Sequence, residues 1–199
     1  VEKGDRISFA TGKEFEGTKD RVYMNYETFP QDVKPGERIL LDDGKLIFEV
    51  VKTNKKDEVL TEVIQGGPLR SRKGVNLPNT KISLPALTEK DVKDVIFACE
   101  LEVDWIALSF VRYASDLKIL QKLIAEHSEH KIPIISKIEK PEGVKNIDKI
   151  IAYCDGLMVA RGDLGVEVPA HEVPLIQKQL VLKAKQARIP VIIATQMME

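Results

Sequence analysis

Four runs of almost unbroken apolar residues dominate the second half of the chain, at positions 105–111, 132–138, 156–160 and 191–195. Strands that alternate apolar and polar residues bury one face; runs like these belong to strands covered on both faces. Between the runs lie segments of helical period. Leu117, Leu120, Leu123 and Ile124 form one apolar stripe, for which Ser115 is the expected N-cap. Ile176, Leu180, Ala184 and Ala187 form another, and an earlier helix is expected over 89–100 with Thr88 as its cap. Strand and helix in strict alternation imply a parallel sheet.

Two architectures make such a sheet: an open doubly wound sheet, or part of a closed (β/α)8 barrel. No Gly-x-Gly-x-x-Gly follows the first run, which removes support for a dinucleotide-binding sheet. Functional-type side chains sit at or just past the end of every run: Ser109 and Arg112, Lys137 and Glu139, Arg161 and Asp163, Thr195 and Gln196. A barrel collects its chemistry from several strand ends at once, whereas an open sheet concentrates it at one switch point. The fold class expected is therefore α/β, a partial (β/α)8 TIM-type barrel. Four strands cannot close a barrel, the chain begins at Val1 rather than Met, and Glu199 directly follows a strand-like run. The expectation is an excerpt of a longer polypeptide.

The first 80 residues read differently. Short β-rich segments at 38–41, 46–51 and 59–64 are separated by Lys34-Pro35-Gly36, Asp42-Asp43-Gly44 and Asn54-Lys55-Lys56-Asp57. Asp43-Gly44 is a strong hairpin signal, because both residues tolerate positive φ. A small β-barrel-like or sandwich domain is expected over 1–79. Gly66-Gly67-Pro68, the basic stretch 70–74 and a hinge at 76–79 would lead into the second domain, 80–199.

Hydrophobic residues make up 43% of the chain and charged residues 31%, the balance of a soluble globular protein with a sizeable core. A formal net charge of −1 supplies no bulk field to recruit nucleic acid or an anionic membrane. No apolar run approaches the ~18 residues needed to span a bilayer, and no signal peptide opens the chain. Cys99 and Cys154 lie in apolar, helical-looking context without metal-site spacing, so both are read as buried free thiols, which suits a cytoplasmic location. His127, His130 and His171 have no third ligand nearby in the pattern and read as surface residues.

At the strand ends, alternation points Lys137 and Glu139 to one face and Ser136 and Ile138 to the other. The pair is either a plain ion pair, or one cation for a phosphate beside one carboxylate for a metal. Gly162-Asp163-Leu164-Gly165 is either an ordinary strand-to-helix turn or a place where backbone N–H groups meet an anion. Asp163 with Glu139 makes a carboxylate pair from neighbouring strands, and Mg²⁺ accepts one or two carboxylates completed by water and substrate oxygens. Thr195 offers a hydroxyl for substrate or for a local hydrogen bond. Asp42 and Asp43 read first as a turn and second as a ligand contact.

Ile134-Ile135-Ser136-Lys137-Ile138-Glu139, the stretch from Met158 through Arg161-Gly162-Asp163-Leu164-Gly165, and Ala194-Thr195-Gln196-Met197 together resemble the fifth, sixth and seventh barrel strands of pyruvate kinases. Ala107-Leu108-Ser109-Phe110-Val111-Arg112 resembles the fourth. Leu41-Asp42-Asp43-Gly44 and Gly74-Val75-Asn76-Leu77-Pro78 resemble the family's small lid domain and its return to the barrel. The resemblance covers essentially the whole chain. It implies phosphoryl transfer from phosphoenolpyruvate to ADP, giving ATP and pyruvate in the last step of glycolysis. Lys137 would face the transferring phosphoryl group and the enolate charge, and Glu139 and Asp163 would bind Mg²⁺ (or Mn²⁺). The N–H groups near Gly162 and Asp163 would hold the substrate carboxylate. Thr195 would contact substrate near where the enolate takes its proton, and Lys73 would meet nucleotide phosphates.

Three positions depart from the family pattern: Arg70 and Asn79 stand where glycine is common, and Arg72 where lysine is. The family's K⁺ ligands and a nucleotide-contacting arginine belong to strands outside this chain, as does its C-terminal domain, and the parent is expected to be a cytoplasmic homotetramer. Two other readings stand beside this one. A metal-dependent barrel lyase or aldolase would use the same carboxylates on a pyruvate enolate without a nucleotide lid. Alternatively the segment is non-catalytic, and on its own it is expected to be inactive.

Overall fold

The computed structural model describes residues 1–78 and 80–195. Two compact units divide the chain, Val1–Leu84 and Pro85–Glu199.

The first unit is built on a curled six-stranded sheet. Its elements are β1 (Arg6–Ala10), β2 (Arg21–Tyr23), α1 (Phe29–Asp32), β3 (Arg38–Leu41), β4 (Leu46–Thr53), β5 (Glu58–Gln65) and β6 (Val75–Asn76). The strands lie in the order β2-β1-β5-β4-β3-β6, antiparallel except for the β1–β2 pair. Period-two alternation aims Leu46, Phe48 and Val50 of β4, and Val59 and Val63 of β5, into one core with Ile7, Phe9, Phe29 and Ile39. Phe9 meets Phe48 edge-on, with centroids 5.3 Å apart at 89°, the geometry the ring quadrupoles favour. Thr61 also faces this core, and its hydroxyl donates to the Ile7 carbonyl at 2.8 Å, which satisfies its buried oxygen.

The expected hairpin joins β3 to β4. Asp42, Asp43 and Gly44 all adopt positive φ, at 51°, 58° and 81°. Two register shifts between β4 and β5 add twist to the sheet, as bulges do. The supposed hinge starts inside this unit: Val75 and Asn76 pair with Leu41 and Leu40, and Leu77 is buried in the core. Thr80 donates to Glu37 at 2.7 Å, so the unit carries on to Leu84. Asn79 lies outside the described residues.

The second unit contains α2 (Glu89–Glu100), β7 (Ile106–Leu108), α3 (Ala114–His127), β8 (Ile134–Ile138), α4 (Pro141–Lys145), α5 (Ile147–Ile151), β9 (Gly156–Ala160), α6 (Arg161–Glu167), a 3-10 turn (Ala170–Glu172), α7 (Val173–Gln186) and β10 (Val191–Ala194). The four strands form one parallel sheet in the order β10-β9-β8-β7. The two inner strands are the well-covered ones: Leu157 and Val159 of β9 and Ile138 of β8 are fully buried. The helical stripes pack against them through Leu117, Leu120, Ile124, Leu180 and Ala184.

Local chemistry corrects four details of the sequence reading. The run at 105–111 keeps only three residues as strand, because Phe110 turns to φ 54° and its N–H leaves the ladder. The N-cap of α3 is Tyr113, not Ser115, because the Asp116 carboxylate accepts the N–H groups of both Arg112 and Tyr113, at 2.9 and 3.0 Å. Cys154 is a buried free thiol, as is Cys99, but it sits in the turn before β9 rather than in a helix. The glycine-flanked segment 162–165 is the body of α6, not a loop, because Leu164 buries completely and anchors a helical turn.

Candidate functional site

The C-terminal end of β8 carries a tightly organised polar group. Lys137 is the fourth residue of the strand and Glu139 follows its end, so alternation puts both on one face. Lys137 Nζ lies 2.8 Å from Glu139 Oε1 and donates to Ser109 Oγ at 2.8 Å. The Phe110 backbone N–H donates to Glu139 Oε2 at 2.6 Å. Glu139 is 1% exposed, and a buried carboxylate without such partners would cost several kcal/mol. The plain ion-pair geometry is therefore present, and the end of β7 holds it from the other side.

That end of β7 is itself fixed. Asp116 binds two of its N–H groups, and Asn146 Nδ2 donates to the Arg112 carbonyl at 3.1 Å. Gly143 of α4 comes so close that an added Cβ would lie 2.5 Å from the Val111 carbonyl oxygen. Glycine is needed there for close approach, not for an unusual φ.

Strand β9 lies beside β8, with Lys137 opposite Met158 and Ile138 opposite Val159. It runs straight into α6, whose first turn holds Gly162 and Asp163. The N–H groups of a helix's first turn have no partner within the helix. Asp163 is exposed, and its carboxylate has no hydrogen bond or ion pair among the described residues. Thr195 follows β10, and an added Cβ on Gly162 would stand 3.3 Å from the Thr195 hydroxyl oxygen. The bare glycine leaves that hydroxyl clear. Gln196 and Met197 lie outside the described residues.

Glu139 and Asp163 suit a hard cation. Each Glu139 oxygen has accepted one partner and retains a lone pair, and the Asp163 carboxylate is exposed. Among the described residues no group of three or more His, Cys, Asp or Glu side chains converges, so the two carboxylates would be a partial shell for Mg²⁺, completed by water and substrate oxygens.

Lys73 belongs to the first unit, where its Nζ lies 2.9 Å from Asp42 Oδ1 in the β3–β4 turn. The Lys73 ammonium, helped by Lys45, holds the Asp42 carboxyl below the usual carboxylate range. The sequence reading did not foresee three contacts: the Phe110 N–H on Glu139, the Asp42–Lys73 pair, and a buried pair between Lys140 and Glu167, 2.6 Å apart. Nothing local in the sequence signals the first or the last, because each joins residues 27 or 29 positions apart.

A parallel sheet alternating with helices, with a lysine, two carboxylates and a threonine at or just past successive strand ends, defines an α/β protein. The chain belongs to the pyruvate kinase family: the family model described as "Pyruvate kinase, barrel domain" matches residues 1–199. It is 47% identical over 199 residues to a pyruvate kinase of Clostridium perfringens, covering 100% of this chain and 42% of that protein. Identity to a pyruvate kinase of Corynebacterium glutamicum is 48% over 198 residues, covering 100% of this chain and 41% of the relative. With a pyruvate kinase of Bacillus licheniformis it is 50% over 184 residues, covering 92% of this chain and 32% of the relative. The chain thus spans well under half the length of these curated relatives. Among the described residues no helix is long and apolar enough to cross a membrane.

Proposed function

We propose that the whole protein transfers the phosphoryl group of phosphoenolpyruvate to ADP, giving ATP and pyruvate, the last step of glycolysis, and that this chain supplies part of its active site. The observation that carries the reading is the Lys137–Glu139 pair at the end of β8, beside the exposed Asp163 at the start of α6, in a chain of this family. The strand order β10-β9-β8-β7, strictly sequential, supports a part of a (β/α)8 barrel, because a doubly wound sheet would break that order at a switch point. The first unit is proposed as the lid domain.

In this reading Lys137 faces the transferring phosphoryl group and the oxygen on which enolate charge develops. A fixed cation aimed at developing charge is worth more in the transition state than in the ground state. Glu139 and Asp163 would hold Mg²⁺ (or Mn²⁺), which would supply positive charge to offset that of the substrate's anionic oxygens. The N–H groups of Gly162 and Asp163 bind the substrate carboxylate, and the Thr195 hydroxyl sits where the enolate takes its proton. Lys73 binds nucleotide phosphate, so Asp42 is a competitor that nucleotide must displace. The whole protein is proposed to use K⁺ through residues outside this chain, to work as a homotetramer and to act in the cytoplasm. A barrel lyase is not favoured, since the family match extends through the first unit.

A coupled assay of pyruvate formation on the full-length protein tests the central role. Lys137→Met is expected to lower kcat by about 10²-fold or more, the scale of losing one charge-stabilising donor, with a much smaller change in KM for ADP. Turnover within twofold of wild type would remove Lys137 from the chemistry. The isolated segment 1–199 is proposed to be inactive.

A further inference from the structure

The proposed mechanism leaves unused the most deeply buried ion pair among the described residues. Lys140 Nζ lies 2.6 Å from Glu167 Oε1, with side-chain exposures of 8% and 1%. Desolvating two charges is expensive, and a buried pair is weak evidence for stability, since apolar side chains of similar volume often do as well. Its location is more informative. Lys140 follows Glu139 directly in the chain and caps the start of α4. Glu167 is the last residue of α6, and it lies four residues after Asp163, so both carboxylates stand on one face of that helix.

α6 is only seven residues long, and it leaves β9 with no connecting loop, since Ala160 ends the strand and Arg161 begins the helix. Its entry is thus set by the sheet, while its tilt depends on what holds its far end. The Lys140–Glu167 pair provides that hold and ties it to the residue next to Glu139. Asp163 stands one turn before Glu167 on the same short helix, so the docking of Glu167 onto Lys140 bears on where the exposed Asp163 carboxylate stands.

We infer that Lys140 and Glu167 are positioning residues for the two-carboxylate cation site, fixing where Asp163 stands relative to Glu139. This rests on the reading of Glu139 and Asp163 as cation ligands. A positioning pair differs from a merely stabilising one in that its removal should weaken cation binding even in a folded protein. Partners that orient ligands from behind typically set metal affinity by ten- to a hundredfold.

The test is Mn²⁺ binding to the full-length protein, followed by electron paramagnetic resonance of free Mn²⁺, with thermal unfolding measured alongside. Glu167→Gln and Lys140→Met are expected to raise the Mn²⁺ Kd by about tenfold or more, and Lys140→Arg, which keeps the ion pair, by less than threefold. Should the single variants fail to fold, the double variant Lys140→Met/Glu167→Met removes both buried charges and is expected to fold with the same loss of Mn²⁺ affinity. Wild-type Mn²⁺ affinity in any folded variant lacking the pair would overturn the inference. Glu139→Gln and Asp163→Asn distinguish the role of the ligands from that of the pair. If they leave Mn²⁺ binding intact, the ligand reading itself fails; if they abolish it while the pair variants bind normally, only the positioning role fails.

Discussion

Burial decides the reactivity of Cys154. Removal from water, with the Asp155 carboxylate next to it, pushes its thiol up to about 11. At pH 8 a thiol of ordinary pKa is about a quarter thiolate, whereas this one is of order one part in a thousand. Iodoacetamide should therefore label Cys154 at least about a hundredfold more slowly in the native protein than in denaturant, as peptide mass spectrometry would show. Equal rates would mean the turn before β9 opens readily. Gly143 makes a different demand. An added Cβ would press 2.5 Å from the Val111 carbonyl, a backbone atom with little freedom to yield. Gly143→Ala should lower stability by about 1–3 kcal/mol, read from the urea midpoint, and a midpoint unchanged within error would show that α4 can retreat at no cost.

At the scale of elements, α2 shows how far local chemistry reaches. Thr88 and Asp91 cap each other: the Asp91 N–H donates to the Thr88 hydroxyl at 3.2 Å, and the Thr88 N–H and hydroxyl donate to Asp91 at 2.7 Å. These hydrogen bonds hold the Asp91 carboxyl below its ordinary value. Its contribution is thus complete above the unfolded carboxylate value near about 4, and it fades as pH falls through the lower folded value. Asp91→Ala should cost about 1 kcal/mol at pH 7, with wild type and variant converging in acid. A difference that persists unchanged at pH 2 would contradict the capping account. Thr88, the half of this cap that the sequence signals, made Glu89–Glu100 legible to the residue, as apolar runs did for Arg38–Leu41 and Gly156–Ala160; the return bond to Asp91 was not foreseen. Elements shorter than two turns escaped, since the five-residue helices α4 and α5 show too little of a 3.6-residue period to be read. In α6, Gly162 and Gly165 argued for a loop at about 1 kcal/mol each, and the complete burial of Leu164 outweighed them. The Lys137–Glu139 contact was legible because alternation is a local rule. Its Phe110 partner was not, because a positive φ on a bulky residue is imposed by tertiary contacts.

At the scale of the whole molecule, the parallel sheet has β7 and β10 as its outer strands among the described residues. A closed barrel has no outer strands, and a partial one cannot present a complete ring of strand ends. The proposal that residues 1–199 are inactive alone follows from this. Purified as an isolated polypeptide, the segment should give no pyruvate above a protein-free blank in the coupled assay. Turnover by it would mean that the catalytic set is complete within these ten strands.

The anchoring of the segment after β7 carries one more consequence. Asp116, Gly143 and Asn146 hold the backbone from which Phe110 reaches Glu139, yet they lie on α3, on α4 and just beyond α4. In a saturation-mutagenesis screen scored on growth, these three positions should be depleted almost as severely as Glu139 itself. A map of such intolerance, drawn without coordinates, would overstate the size of the proposed reaction centre by counting its scaffolding as part of it.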